Sequence, residues 1–237
     1  MKTATNFIIK CLALGMLISV IACDTSRKTE KNPVSEKDFK TQHQGKSVSL
    51  YTLTNDQGMT LQVTNYGARL VSLQVPSKNN EKVDVALGYP TIQQYIKDDM
   101  YMGPVIGPFA NRIGGASFNI GDKTYELAQN DGKNNLHSGT EGFHRVVWDA
   151  QEKEDTLILS YQSPHLKAGF PGIMDVEIKY ILTSKNEMVI EYSGTADRKT
   201  IMNLTSHAYF NLGGHGSGSI LEHQLQIHSD RITPVDS

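Results

Sequence analysis

The sequence predicts an all-β domain, a β-sandwich or a barrel. Three observations carry that reading. Apolar residues recur with period two along most of the chain, the alternation of a strand with one buried face. Good turn-forming residues separate these runs: Asn55-Asp56-Gln57-Gly58, Gly121-Asp122, Glu152–Asp155 and Ser184–Asn186. A helical period appears only over Thr91–Lys97, and many short strands with almost no helix pack as sheet on sheet or as a closed sheet.

Taken in order, the first 45 residues stand apart from that pattern. Met1 and Lys2 open the chain, an apolar run extends from Cys11 to Ala22, and Cys23 follows. A basic start, a short apolar run and a small residue before a cut make a secretory signal over residues 1–22, and the run is too short for a membrane-spanning helix. Val20-Ile21-Ala22-Cys23 resembles a bacterial lipobox, which makes Cys23 the expected lipidation site and the lipid the only expected tie to a membrane. Cys11 and Cys23 are the two cysteines of the chain, so no disulfide and no cysteine metal site is expected in the domain that follows. Residues 23–45 are polar and charged and read as the anchor cysteine plus a tether.

The domain is expected over residues 46–237. Val48 and Leu50 alternate with Ser47 and Ser49, and Thr60–Thr64 repeats the pattern beyond a turn. Further strands are expected at Arg69–Val75, Val83–Leu87, Ala116–Ile120 and Lys123–Leu127, the last two forming a hairpin about Gly121-Asp122. The second half supplies Thr156–Tyr161, Met174–Leu182, Glu187–Tyr192 and Ile220–Ile227. In Asp175–Ile181, charged and apolar residues alternate, the mark of an antiparallel sheet with one wet face.

Composition narrows the function classes. Hydrophobic residues make up 38% and charged residues 20% of the 237-residue chain, with a formal charge of −2. No basic stripe with interleaved aromatics is present, which argues against a nucleic-acid partner and leaves a small molecule of low charge. His223 and His228 lack an obvious ligand spacing and no carboxylate–histidine zinc motif occurs, so no metal is expected. The loop Gly213–Gly218 lacks the lysine of a phosphate-binding loop.

Two histidines sit in unusual company. His137 lies in Asn134-Asn135-Leu136-His137-Ser138-Gly139, and His207 in Asn203-Leu204-Thr205-Ser206-His207-Ala208-Tyr209-Phe210-Asn211-Leu212. Small polar groups suit sugar hydroxyls, flat rings suit C–H faces, and imidazole exchanges a proton near neutrality. The remaining histidines (43, 144, 165, 215, 223 and 228) read as surface or structural groups. Among Phe109, Phe143, Trp148, Tyr209 and Phe210, most are expected in the core and a minority against a ligand.

With Asn111-Arg112-Ile113, Gly142-Phe143, Val147-Trp148 and Gly169-Phe170-Pro171-Gly172, these segments resemble in order and spacing the motifs of aldose 1-epimerases (galactose mutarotases), from about Asn65 onward. The resemblance implies a large antiparallel β-sandwich of the galactose mutarotase type. It implies interconversion of the α and β anomers of a free hexose, galactose or glucose, without a cofactor. His207 would be the acid that protonates the ring oxygen, His137 a second catalytic group beside it, and Arg112 and Asn111 the substrate-binding pair. Related chains continue for about a hundred residues more, and that stretch carries the glutamate that serves as base and an aspartate that binds hydroxyls. No residue here matches either, Asp230 and Asp236 included, so a sandwich incomplete at the C-terminus and an impaired reaction are expected.

Three other readings compete. A sugar-binding protein without turnover needs only Arg112, His137 and His207. A hexose-6-phosphate epimerase needs more positive charge than Arg112 and Arg145 supply. A glycoside hydrolase needs two placed carboxylates. The leader places the chain in the cell envelope, exported and lipid-anchored.

Overall fold

The computed structural model describes residues 34–79, 81–232 and 234. The expected signal peptide and Cys23 lie outside these residues. The strands are β1 (Thr41–His43), β2 (Lys46–Val48), β3 (Leu50–Thr54), β4 (Thr60–Thr64), β5 (Arg69–Pro76), β6 (Lys82–Asp84), β7 (Val105–Ile106) and β8 (Arg112–Ile113). They continue as β9 (Ser117–Ile120), β10 (Lys123–Glu126), β11 (Asn135–Leu136), β12 (Asp149–Lys153), β13 (Thr156–Ser163), β14 (Met174–Leu182), β15 (Met188–Ala196) and β16 (Thr205–Ser206). Among the described residues one short α-helix, α1 (Ile92–Ile96), lies within the stretch where the helical period was expected.

Two four-stranded antiparallel sheets dominate, one in the order β3-β4-β5-β6 and one in the order β12-β13-β14-β15. Their apolar faces merge into one core cluster: Leu53, Leu61, Val63 and Leu70 from the first, Leu157, Leu159, Ile178 and Tyr180 from the second. The Tyr180 hydroxyl donates to the carbonyl of Ala68 at 2.9 Å, a polar tie across that core. Residues spaced by two along β14 (Met174, Val176, Ile178, Tyr180, Leu182) are all buried, as the alternation required. This is the β-sandwich the sequence predicted.

Strand β5 is buried on both faces. Leu70 and Leu73 join the main core, while Val71 joins a second cluster with Phe39, Tyr66, Ile92 and Tyr95. Over residues 34–45, the described part, that second cluster corrects the tether expected over residues 23–45. Residues 36–38 form a 3-10 turn, β1 follows, and Phe39 is fully buried. Phe39 seats the segment among Tyr66, Val71, Ile92 and Tyr95, with Val34 packed against the same cluster.

Three other expectations also change. The strand expected at Val83–Leu87 is β6 and ends at Asp84. The Asp84 carboxylate there accepts from the backbone N–H groups of Leu73 (3.0 Å) and Ala86 (3.2 Å), and a side chain replaces the ladder. The turn expected over Glu152–Asp155 shrinks to Glu154-Asp155, since Lys153 pairs with Thr156 and Glu154 takes a left-handed φ of 48°. The strand expected at Ile220–Ile227 is absent. Leu221, Leu225 and Ile227 are 88%, 85% and 70% exposed, and the alternating pattern has no partner among the described residues to pair with.

Candidate functional site

Short strand pairs that the periodicity did not reveal bring the two histidine segments together. β7 pairs with β16, Val105 opposite Ser206, and β8 pairs with β11, Arg112 opposite Leu136. Each histidine directly follows one of these strands. His207 donates its backbone N–H to Pro104 (2.8 Å) and accepts from the N–H of Gly103 (3.2 Å). Gly103 has a φ of +73°, and a Cβ there would collide with the Leu70 carbonyl, so the chain comes this close only with glycine.

His137 is held twice by one residue. Its backbone N–H donates to the carbonyl of Asn111 at 3.0 Å, and its Nδ1 accepts from the backbone N–H of Asn111 at 2.9 Å. A neutral ring whose Nδ1 accepts carries its proton on Nε2, so His137 presents a fixed N–H donor. The contribution of Asn111 thus comes through its backbone. The neighbouring Ser138 hydroxyl donates to the carbonyl of Phe109 (3.0 Å) and accepts from its N–H (2.9 Å), and Asn203 is bonded to Pro108 and Ala110. Three segments distant in sequence are therefore laced together by their backbones.

The two imidazoles meet edge to face with centroids 5.2 Å apart. Tyr101, which no sequence pattern singled out, lies 4.7 Å from the ring of His137, 5.7 Å from that of His207 and 5.0 Å from that of His144. Tyr209 packs against His207 at 5.1 Å. Phe143 and Trp148 are fully buried in the core, Phe109 is packed at its edge, and Phe210 is exposed. Of the five aromatics weighed, Tyr209 alone touches a site histidine ring.

Electrostatics sort the imidazoles. Burial, then the His207 ring and the Arg112 guanidinium, push His137 down from its ordinary value to about 4, with Asp131 opposing them. At neutral pH it is an uncharged donor. His144, read from sequence as surface or structural, is buried, and burial followed by Arg69 and Arg145 lowers it to about 3. Arg112 stands at the exposed rim and donates from Nε to the Asp131 carboxylate at 2.6 Å, which leaves its two terminal amino groups for other acceptors.

Below the rings lies a buried ion pair. Arg69 and Asp98 have side chains 1% and 0% exposed and meet at 2.8 Å. Arg69 also donates to the carbonyls of Met102 (2.9 Å) and His144 (3.2 Å), while Asp98 accepts from the N–H groups of Met100 (2.9 Å) and Met102 (2.7 Å). Burial alone would raise the Asp98 carboxyl, but the Arg69 hydrogen bond and these N–H groups hold it below the usual carboxylate range. A strand-initial arginine gave no sign in the sequence that it would be buried.

The aldose 1-epimerase family model matches residues 49–237. A relative named aldose 1-epimerase from Haemophilus influenzae is 39% identical over 195 residues, covering 81% of this chain and 56% of that protein. A galactose mutarotase from Sus scrofa is 35% identical over 190 residues, covering 80% and 55%. The chain thus spans about half the length of the curated relatives it matches. Among solved structures, an aldose epimerase homologue from C. elegans superposes with a TM-score of 0.67 at 30% identity, over 69% of this chain and 51% of that one. Galactose 1-epimerase from Lactobacillus acidophilus gives 0.65 at 28%, over 73% and 52%.

Proposed function

Because the chain belongs to the aldose 1-epimerase family, we propose that it holds a free aldose, galactose or glucose, at the His137–His207 pair and assists opening and closing of the sugar ring. The observation that carries this reading is the edge-to-face imidazole pair at 5.2 Å, with an arginine beside it whose terminal amino groups remain available. Mutarotation removes the proton from the anomeric hydroxyl, breaks the bond between the anomeric carbon and the ring oxygen, and delivers a proton to that oxygen. The resulting aldehyde turns and the steps reverse.

His207 is the proton donor to the ring oxygen. His137, uncharged and fixed as a donor through Nε2, hydrogen-bonds the same region of the sugar and does not itself release a proton. Arg112 donates to sugar hydroxyls through its fork. Each well-placed acid or base contributes about 10²–10⁴-fold. The carboxylate that acts electrostatically on His137 is Asp131, and its Oδ2 is engaged by Arg112. With that oxygen engaged, a second reading is a sugar-binding protein that retains a monosaccharide through Arg112, His137 and His207 without turnover.

Polarimetry on freshly dissolved α-galactose or α-glucose separates the two. Acceleration that disappears in His207→Ala supports catalysis. Sugar binding by calorimetry without acceleration supports the binding-only reading, and neither signal from a folded sample would sink both. For the leader, the proposal is an exported lipoprotein anchored through Cys23. Radiolabelled palmitate incorporated by the expressing bacterium and lost in Cys23→Ser is the expected outcome, and equal labelling of both rejects the anchor.

A further inference from the structure

Four residues at the site share an unusual backbone. Tyr101, Asn111, His137 and Ser138 all have left-handed φ values, at 53°, 68°, 55° and 64°. Asparagine and histidine are enriched in that region, but a bulky tyrosine is rarely found there. Such a conformation is strained for a bulky side chain and persists only where surrounding structure over-determines it. Here the surroundings are the Arg69–Asp98 pair and the N–H groups of Met100 and Met102, which lock the 98–103 loop on both sides of Tyr101. The Tyr209 hydroxyl adds a bond to the Met100 carbonyl at 3.0 Å.

We propose that Tyr101 is a positioning residue: its ring, directed by a strained loop among His137, His144 and His207, sets the spacing of the working imidazoles and keeps water from His137. The inference rests on the acid–base reading of that pair and adds to it the group that holds the pair in register. The stacked contact with His207, interplanar angle 28°, and the edge contact with His137, 71°, mean that one ring braces both. The other groups that interact with His137 are Arg112, Asp131, His207 and His144. None of these occupies the place of the Tyr101 ring, so none replaces it when it is removed. The phenol hydroxyl is not required, since bracing needs only the ring.

Tyr101→Gly and Tyr101→Phe form the test. Glycine relieves the left-handed strain, so the variant keeps its fold while losing the ring. Three measurements are made on the whole chain: thermal melting, polarimetric kcat and KM, and titration of the His137 imidazole by 1H–15N NMR. Expected for Tyr101→Gly are an undiminished melt, a kcat lower by about 10²-fold with KM changed by less than ~3-fold, and a His137 midpoint moving up toward 6.5. Tyr101→Phe should match the parent in all three. An unchanged His137 midpoint in Tyr101→Gly overturns the proposal, as does a Tyr101→Phe variant as impaired as Tyr101→Gly. A parent chain with no mutarotation removes the catalytic reading alone; the His137 midpoint still decides whether Tyr101 braces the pair.

Discussion

The two large sheets are built to different standards of regularity. In the β12–β15 sheet the register runs without a shift from Thr156 opposite Ile181 to Ser163 opposite Met174, and from Met174 opposite Ala196 to Leu182 opposite Met188. In the β3–β6 sheet the register slips between Gln62 and Val63, β5 opens on a buried arginine, and β6 stops where Asp84 takes over backbone bonds. The histidine site is tied to the irregular sheet. Arg69 leaves β5 to hold the 98–103 loop, and Gly103 bonds Leu70 on one side and His207 on the other. A regular ladder satisfies its own backbone and has nothing left to hold a loop, whereas an interrupted one leaves polar groups that can reach outward.

The comparison is sharpened most by damaging each sheet in turn. Asp98→Ala leaves the Arg69 guanidinium buried without its counter-charge, with an expected loss of about 3–5 kcal/mol. It should also release the Tyr101 loop, so the His137 midpoint moves with the stability. Leu159→Ala opens a cavity in the regular sheet and costs ~2–5 kcal/mol, yet should leave that midpoint where it stands. Urea melts and the NMR titration read both quantities, and a shifted midpoint in Leu159→Ala would erase the distinction between the sheets. The smallest expected effect lies in the pH dependence. His144 has a folded value near 3, below its ordinary 6.5, so below pH 6.5 the unfolded chain binds more protons than the folded one. Its contribution to stability is therefore complete above that pH and is lost as pH falls, by up to ~1.4 kcal/mol per unit. Urea melts at about pH 7 and pH 5 should show a smaller decline in His144→Asn than in the parent, and equal declines would mean that burial of this imidazole does not govern the acid response.

Much of this was legible in the sequence, unevenly. Period-two alternation located β4, β13 and β14 because alternate residues of each are buried in the core. The same rule failed at Ile220–Ile227, since alternation records a capacity to pair and says nothing of a partner. It was blind to β7, β8, β11 and β16, two residues each, too short to show a period. His137, His207, Arg112 and Asn111 were found through motif resemblance, and the structure brings them to one place. Asp131 and Tyr101 were missed. Asp131 acts on Arg112, 19 residues away on β8, and Tyr101 through a φ value that no residue type advertises. Phe39 and Arg69 were missed for a common reason: what buries them is chain far away in sequence.

The lacing of His137 to Asn111, of Asn203 to Pro108 and Ala110, and of His207 to Pro104 also bears on how the molecule folds. None of these contacts is local, and each histidine hangs from a two-residue strand that gains nothing until its partner arrives. Loop closure has to precede any reward from such contacts, which places them late in assembly. The imidazole pair is therefore expected to form only as the fold nears completion. A sugar that binds there draws on the stability of the whole domain, and its protection against unfolding should extend to strands that never touch it.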